Sequence, residues 1–274
     1  MEWAKLKNIM ILILLLANLF LLGIVIVQER DAALYQEQAL EHALGVLEKN
    51  GIHVERDRLP EEMNLSVLTV SRDLESEKAL AEALLGPCAA SDLGGGRYAY
   101  ESELGTAEFR SNGNFSVSFS NGLMPTRRIG GEEALASALL KEAGLATVLN
   151  TRVEDGERVV LTYHQTWQNA SIGSCEIAME YRNGSLRSMS GLRLMGTPQS
   201  VNDKSVMISL STALVRILNG VNDLGDICNE ITAMEPGYLL TSSTEGTRLV
   251  PVWYVTTDTG AYNLNALTGA LERA

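Results

Sequence analysis

The chain has 274 residues, 46% of them apolar and 20% charged, with a formal net charge of −12; this balance excludes intrinsic disorder and leaves ample material for a packed core. The first thirty residues carry +1, so the remainder carries −13, a surface that repels phosphate backbones and anionic headgroups and argues against nucleic-acid binding. Cys88, Cys175 and Cys228 are too few and too far apart for a disulfide framework or a zinc cluster, and spacing alone leaves open whether Cys88 and Cys228 pair.

The first predicted element is Ile9 to Val27, nineteen residues whose only strongly polar member is Asn18. At roughly 1.5 Å per residue, a helix there spans about the ~30 Å hydrocarbon core of a bilayer. Signal-peptide apolar regions run only ~7–15 residues, and no clear small-x-small cleavage pattern closes this run, so a retained single-pass anchor is expected. Lys5 and Lys7 precede it, whereas Glu29, Arg30 and Asp31 follow it. That asymmetry puts the N-terminus in the cytoplasm and everything after Arg30 outside. Trp3 stands where an interfacial aromatic belongs. Asn18 has two readings: a tolerated polar residue, or an amide that hydrogen-bonds across a helix interface for roughly 0.6–2 kcal/mol and makes the span a partner-binding element.

Asp31 to Asn50 reads as a stalk helix continuing from the membrane, with Ala33, Leu40, Leu44 and Leu47 near one face and Gly51 as its stop. Residues 64–70 read as a strand, Leu74 to Leu85 as a helix closed by Gly86-Pro87, and Ser91 to Gly96 as a loop. Phe115, Val117 and Phe119 then alternate with serines between two Asn-Gly pairs, the pattern of hairpins with one wet face. Pro125 and the Gly130-Gly131 pair interrupt all periodicity, which divides an exterior subdomain 31–125 from a second one, 126–274.

Glu132 to Ala143 has a helix pattern, acidic in its first turn and stopped by Gly144. Arg158 to Tyr163 and Ser174 to Tyr181 alternate as strands, with Cys175, Ile177, Met179 and Tyr181 on one face; Asn183-Gly184 turns the chain into a further strand over 185–194. Cys175 is expected to be a small buried hydrophobe. A helix is predicted from about Lys204 to Leu218, burying Met207, Leu210, Leu214 and Ile217 and stopping at Asn219-Gly220. Strands over 230–241 and 248–257 and a closing hairpin complete the chain. The order predicts an α+β fold, helices packed on antiparallel sheets after a single transmembrane helix.

The closing hairpin contains Asp258-Thr259-Gly260, the tripeptide of aspartic proteases. Their chemistry needs two carboxylates sharing a proton, no second copy is found, and only sixteen residues follow Asp258. A turn accounts for more of the residues: Trp253 is a packing anchor, Gly260 belongs to the bend, and Asn265 to Gly269 form the next turn. Pro251 is expected at an edge or a strand start, because it cannot donate to a ladder. His42, His53 and His164 lack metal-ligand spacing, and His164 reads as a side chain on a sheet face. No hydrolase elbow, P-loop, dinucleotide fingerprint or paired-cysteine motif is found. No enzymatic role, metal or cofactor is therefore expected.

Met1 to Lys7 running straight into one span, Leu161 to Gln165 before a hairpin, Pro236-Gly237-Tyr238, Val250 to Trp253, and Tyr262 to Gly269 together resemble YycI-type proteins. The resemblance covers about the first thirty residues and roughly 155–272. The Pro-x-Trp and Asn-Ala-x-Thr-Gly pattern, with Trp253, Gly260, Asn265 and Gly269 as its marks, is also similar to PepSY-like modules. The YycI resemblance implies a non-enzymatic, membrane-anchored regulator that associates with a sensor histidine kinase and a YycH-like protein, partly through transmembrane helices. The PepSY resemblance implies a peptide- or protease-binding module outside the cell, and a surface hydrolase is the third reading.

Overall fold

A computed structural model describes residues 2–60, 65–121, 131–201, 205–243 and 246–274. Glu2–Lys49 form one uninterrupted helix, α1. Among the described residues it is the one helix long and apolar enough to cross a membrane, with a mean hydropathy of 3.1 over its most apolar window and none of that window buried. A helix apolar on every side suits lipid rather than a protein core. From Leu40 onward the pattern narrows to one stripe, and Ala43 and Leu47 become buried. Ala33, expected on that stripe, is exposed. Gly51, at φ 81°, ends the helix.

The following strands are β1 (His53–Val54), then a 3-10 turn (Arg56–Arg58), and β2 (Leu68–Val70). Residue 64, where a strand is expected to begin, lies outside the described residues; 65–67 have no strand pairing, with Leu65 and Val67 buried and Ser66 exposed. Helix α2 (Leu74–Leu85) is capped by Asp73, whose carboxylate accepts from the Glu75 and Ser76 N–H groups. A four-strand meander follows: β3 (Ala89–Gly94), β4 (Arg97–Ser102), β5 (Gly105–Arg110) and β6 (Asn114–Phe119). The expected loop over 91–96 is corrected here to a strand and a tight glycine turn. All six residues of β3 are exposed, so no apolar alternation marks it.

Helix α3 (Glu132–Glu142) leads into β7 (Thr147–Asp155), β8 (Arg158–Trp167), β9 (Ala170–Arg182) and β10 (Ser185–Leu192). After the two-residue β11 (Gln199–Ser200) comes α4 (Leu210–Leu224), which differs from expectation at both ends. It starts at a Ser209 cap, and Lys204 lies outside the described residues. It runs through Asn219-Gly220 because Leu218 and Val221 are both buried there; burial of its apolar face overrides the local stop signal. Gly225, in the left-handed conformation, ends it. β12 (Glu230–Ser243), β13 (Gly246–Thr257), β14 (Ala261–Asn265) and β15 (Leu271–Arg273) close the fold.

All fifteen strands belong to one branched sheet, ordered β11-β2-β13-β12-β9-β10-β6-β5-β4-β3, with β8 and β7 continuing from the other flank of β9. Antiparallel pairs dominate, as expected of an α+β fold; β1 on β12 and the short β9–β12 junction are parallel. The expected division near residue 125 lies outside the described residues. On either side of it, β6 pairs with β10, and α2 and α3 share one core with Phe115, Ile177 and Met179. A second core joins the end of α1 to α4 and to Trp253, Val255 and Leu264. Pro251 sits within β13 rather than at its edge or start. Its carbonyl accepts from Ala266 N–H, so its nitrogen faces the flank where β13 exchanges β2 for β14, and no ladder donor is lost.

Candidate functional site

Two features of the fold bear on function: the grip of the sheet domain on α1, and an open sheet edge. Ala43 and Leu47 of α1 share a core with Leu214 and Ile217 of α4. Arg56 adds ion pairs to Glu37, at 3.3 Å, and to Glu41, both on α1. These groups are exposed, so the pairs contribute at most about 1 kcal/mol each, and apolar packing does most of the holding. Asn18 lies on the exposed part of the same helix, 0% of whose apolar window is buried in this chain.

Asp258 lies at the β13–β14 bend, and its carboxylate is engaged by the chain itself. It accepts from the Asn229 N–H at 3.1 Å, the Glu230 N–H at 3.3 Å and the Asn229 side-chain amide at 2.9 Å. These donors, the Asn229 amide first, hold its pKa below the usual carboxylate range. Thr257 Oγ1 accepts from Gly260 N–H at 3.0 Å, and Gly260 is exposed. Trp253 is 2% exposed beneath the bend. Asn265 Oδ1 accepts from the Leu267 and Thr268 N–H groups, and Gly269, at φ 74°, places its backbone against Arg216 of α4. Trp253, Gly260, Asn265 and Gly269 thus lie along one hairpin and its turns, whereas Asn18 sits apart on the span.

The open edge is β7. Among the described residues it pairs with β8 alone. The register sets Val148 opposite His164 and Val153 opposite Val160, on the face away from buried Leu161 and Tyr163; they are 59% and 57% exposed. Bulges interrupt the ladder between Leu149 and Thr151 and between His164 and Gln165, and such bulges bend a strand and re-aim its side chains. Beside them is a cleft of about 450 Å³ whose lining includes Val148, Asn150, His164, Ser171 and Glu235. His164 Nε2 lies 3.2 Å from Asn150 Nδ2 and 3.5 Å from Glu176 Oε2, so it is a sheet-face histidine.

Sequence patterns give no sign of the buried polar groups that hold this frame. Glu77, 1% exposed, takes Arg72 in a two-pronged ion pair at 2.8 and 2.9 Å, while Arg193 Nη2 lies 3.6 Å from it. Arg72 also donates to the Gly96 carbonyl at 2.7 Å, and Arg193 lies over the Phe109 ring. Desolvation lowers the Arg193 pKa, opposed mainly by Glu77. At the β9–β12 junction the Tyr254 hydroxyl accepts from Gly173 N–H at 2.6 Å and donates to the Tyr238 carbonyl; burial pushes its pKa up to about 12. Gly173 and Gly237 leave room for that side chain, since a Cβ on Gly173 would fall 2.6 Å from its hydroxyl oxygen and one on Gly237 2.3 Å from its ring. All three cysteines are free thiols, and burial pushes Cys175 up to about 12, which keeps it an inert hydrophobe. No three His, Cys, Asp or Glu side chains among the described residues converge as a metal site requires.

No family model matches the chain, and no curated protein does. Solved structures similar to it include these two. One, an uncharacterized protein from Eubacterium rectale, is 11% identical, with a TM-score of 0.46 over 82% of this chain and 86% of that one. The other, the C-terminal domain of Bacillus megaterium YpeB, is 12% identical, with a TM-score of 0.39 over 75% of this chain and 98% of that domain.

Proposed function

We propose that the protein is a membrane-anchored, non-enzymatic regulator: its exterior domain engages a partner, and α1 carries that engagement into the membrane, where Asn18 meets a second transmembrane helix. The observation that carries this reading is the continuity of α1 from Glu2 to Lys49, with its last turns buried against α4. A helix held firmly at one end moves its other end as a rigid lever. Coupling of this kind works only if the span makes different contacts in two states of the partner. The resemblance to YycI-type proteins supports a sensor histidine kinase as that partner, assisted by a YycH-like protein, with the domain outside the cell.

Alanine insertions after Ala32 test the lever. Each inserted residue rotates the span by about 100° against the domain and lengthens the helix by about 1.5 Å. Kinase-dependent reporter output is expected to be lost with one or two insertions and largely regained with four, which returns the span to within about 40° of its original phase. Output that ignores the insertions, or falls steadily with length, would count against a rotational lever. Replacement of Asn18 by Leu should reduce both output and co-purification with the kinase. A second reading, a PepSY-like peptide- or protease-binding module, is favoured by the open β7 edge; binding by the chain in the absence of any kinase distinguishes it.

A further inference from the structure

We infer that the free edge of β7 takes an extended, cationic segment of a partner protein as an added strand, a placement that rests on the partner-binding reading above. Strand addition needs an exposed, unpaired sheet edge. β7 has nine residues, against six for β3, three for β15 and two each for β1 and β11. At about 3.3 Å per residue it spans roughly 30 Å, of which the five residues past the bulge, Thr151 to Asp155, form an unbroken ladder of roughly 17 Å. Of the devices that blunt an edge, β7 has a bulge at Asn150 but neither lysine nor proline. Its one cation, Arg152, is occupied by Glu132, Glu133 and Glu154.

Charge selects the occupant. Glu132, Glu133 and Glu154 surround that single guanidinium at the C-terminal half of the edge, and Asp155 ends the strand near Arg158, which is itself engaged by Glu180. Bringing this acidic edge against another copy of itself sets carboxylates together, whereas lysines or arginines in an added strand find partners. The apolar positions are equally specific. Val148 and Val153 stand out on the wet face, so the added strand needs apolar residues opposite them, each such cross-strand pair contributing about 0.2–1 kcal/mol. The occupant is thus an extended segment alternating apolar with basic residues, its end reaching the cleft beside Val148.

The experiment uses the full chain in a neutral detergent and a labelled nine-residue amidated peptide of alternating valine and lysine. Fluorescence anisotropy at low salt should show binding at least tenfold tighter than for the glutamate version of the peptide. N-methylation of alternate peptide nitrogens, which removes ladder donors at unchanged composition, should abolish it. Val153→Lys should weaken the lysine peptide at least tenfold, and the paired change Glu154→Lys with Asp155→Lys should reverse the preference toward the glutamate peptide. Both alter exposed side chains, so unchanged thermal unfolding identifies a binding effect. No binding, equal binding of the N-methylated peptide, or indifference to charge overturns the assignment. Self-association of the chain that Val153→Lys abolishes also overturns it and gives the edge to a second copy. Because the insertion series never touches β7, the lever and the strand addition fail separately.

Discussion

At the residue scale, Asp258 works as a tie between two strands. Its depressed pKa fixes the sign of its pH dependence. A carboxylate whose folded pKa lies below its unfolded value of about 3.9 contributes stability above that value and loses it as pH falls through the folded pKa. Asp258→Ala should therefore lower the melting temperature at pH 7, and the gap from the wild type should begin to narrow below about pH 4 and shrink further as pH falls. A gap that stays constant as pH is lowered through the acid range would mean the carboxylate's bonds to Asn229 and Glu230 are not what it contributes. Glu77 is a deeper case, since it stands between two guanidinia with almost no water. Glu77→Leu leaves both without their carboxylate and should cost about 3–5 kcal/mol in urea unfolding. Glu77→Leu combined with Arg193→Met removes one orphaned charge with the carboxylate and should recover more than half of that loss. A double variant as unstable as the single one would show that Arg193 is held by something other than Glu77.

At the scale of elements, local signals were readable where they agreed with burial and misleading where they did not. Phe115, Val117 and Phe119 alternate, and all three are buried; Cys175 to Tyr181 does the same on β9. β7 has no such pattern because it is exposed along its length and broken by a bulge at Leu149 and Thr151, so the edge most open to a partner was the least visible in sequence. Trp253 was legible from strand alternation, whereas the Glu77 and Arg193 cluster was not, since nothing in a one-dimensional pattern says which charges meet in a core. Asn219-Gly220 reads as a helix stop, yet Gly220 is there for space: a Cβ would lie 2.5 Å from the Leu271 Cβ of β15. Gly220→Ala gains up to about 1 kcal/mol of helix propensity, but overpacking of this kind costs about 1–3 kcal/mol. The three-residue β15 should give way before α4 does. Amide exchange over Leu271–Arg273 is expected to rise at least tenfold while α4 keeps its protection; unchanged exchange would mean that the helix and strand are not in close contact.

At the scale of the whole molecule, the question is whether span and domain move as one body. α1 is 48 residues long, roughly 72 Å at 1.5 Å per residue, enough to cross a bilayer and still reach α4. Between Val27 and Gln36 the described side chains of the helix are exposed, a stretch of roughly 14 Å before the Glu37–Arg56 ion pair and the packing of Leu40 tie it to the domain. Ala33 lies in that stretch and is exposed. Ala33→Pro removes one backbone donor and sets its ring against the carbonyl four residues earlier, at a local cost of about 3 kcal/mol, and kinks the helix. The sheet domain should unfold at an unchanged temperature, because no buried contact is altered. Spin labels at Leu22 and Ile227, in a chain whose three cysteines are replaced by alanine, report the link directly. The wild-type distance distribution should be narrow, and that of the proline variant broader and shifted, with kinase-dependent output lost in parallel. If the distribution is already broad without the proline, the helix is no lever, and any signal must pass between partner and domain outside the membrane.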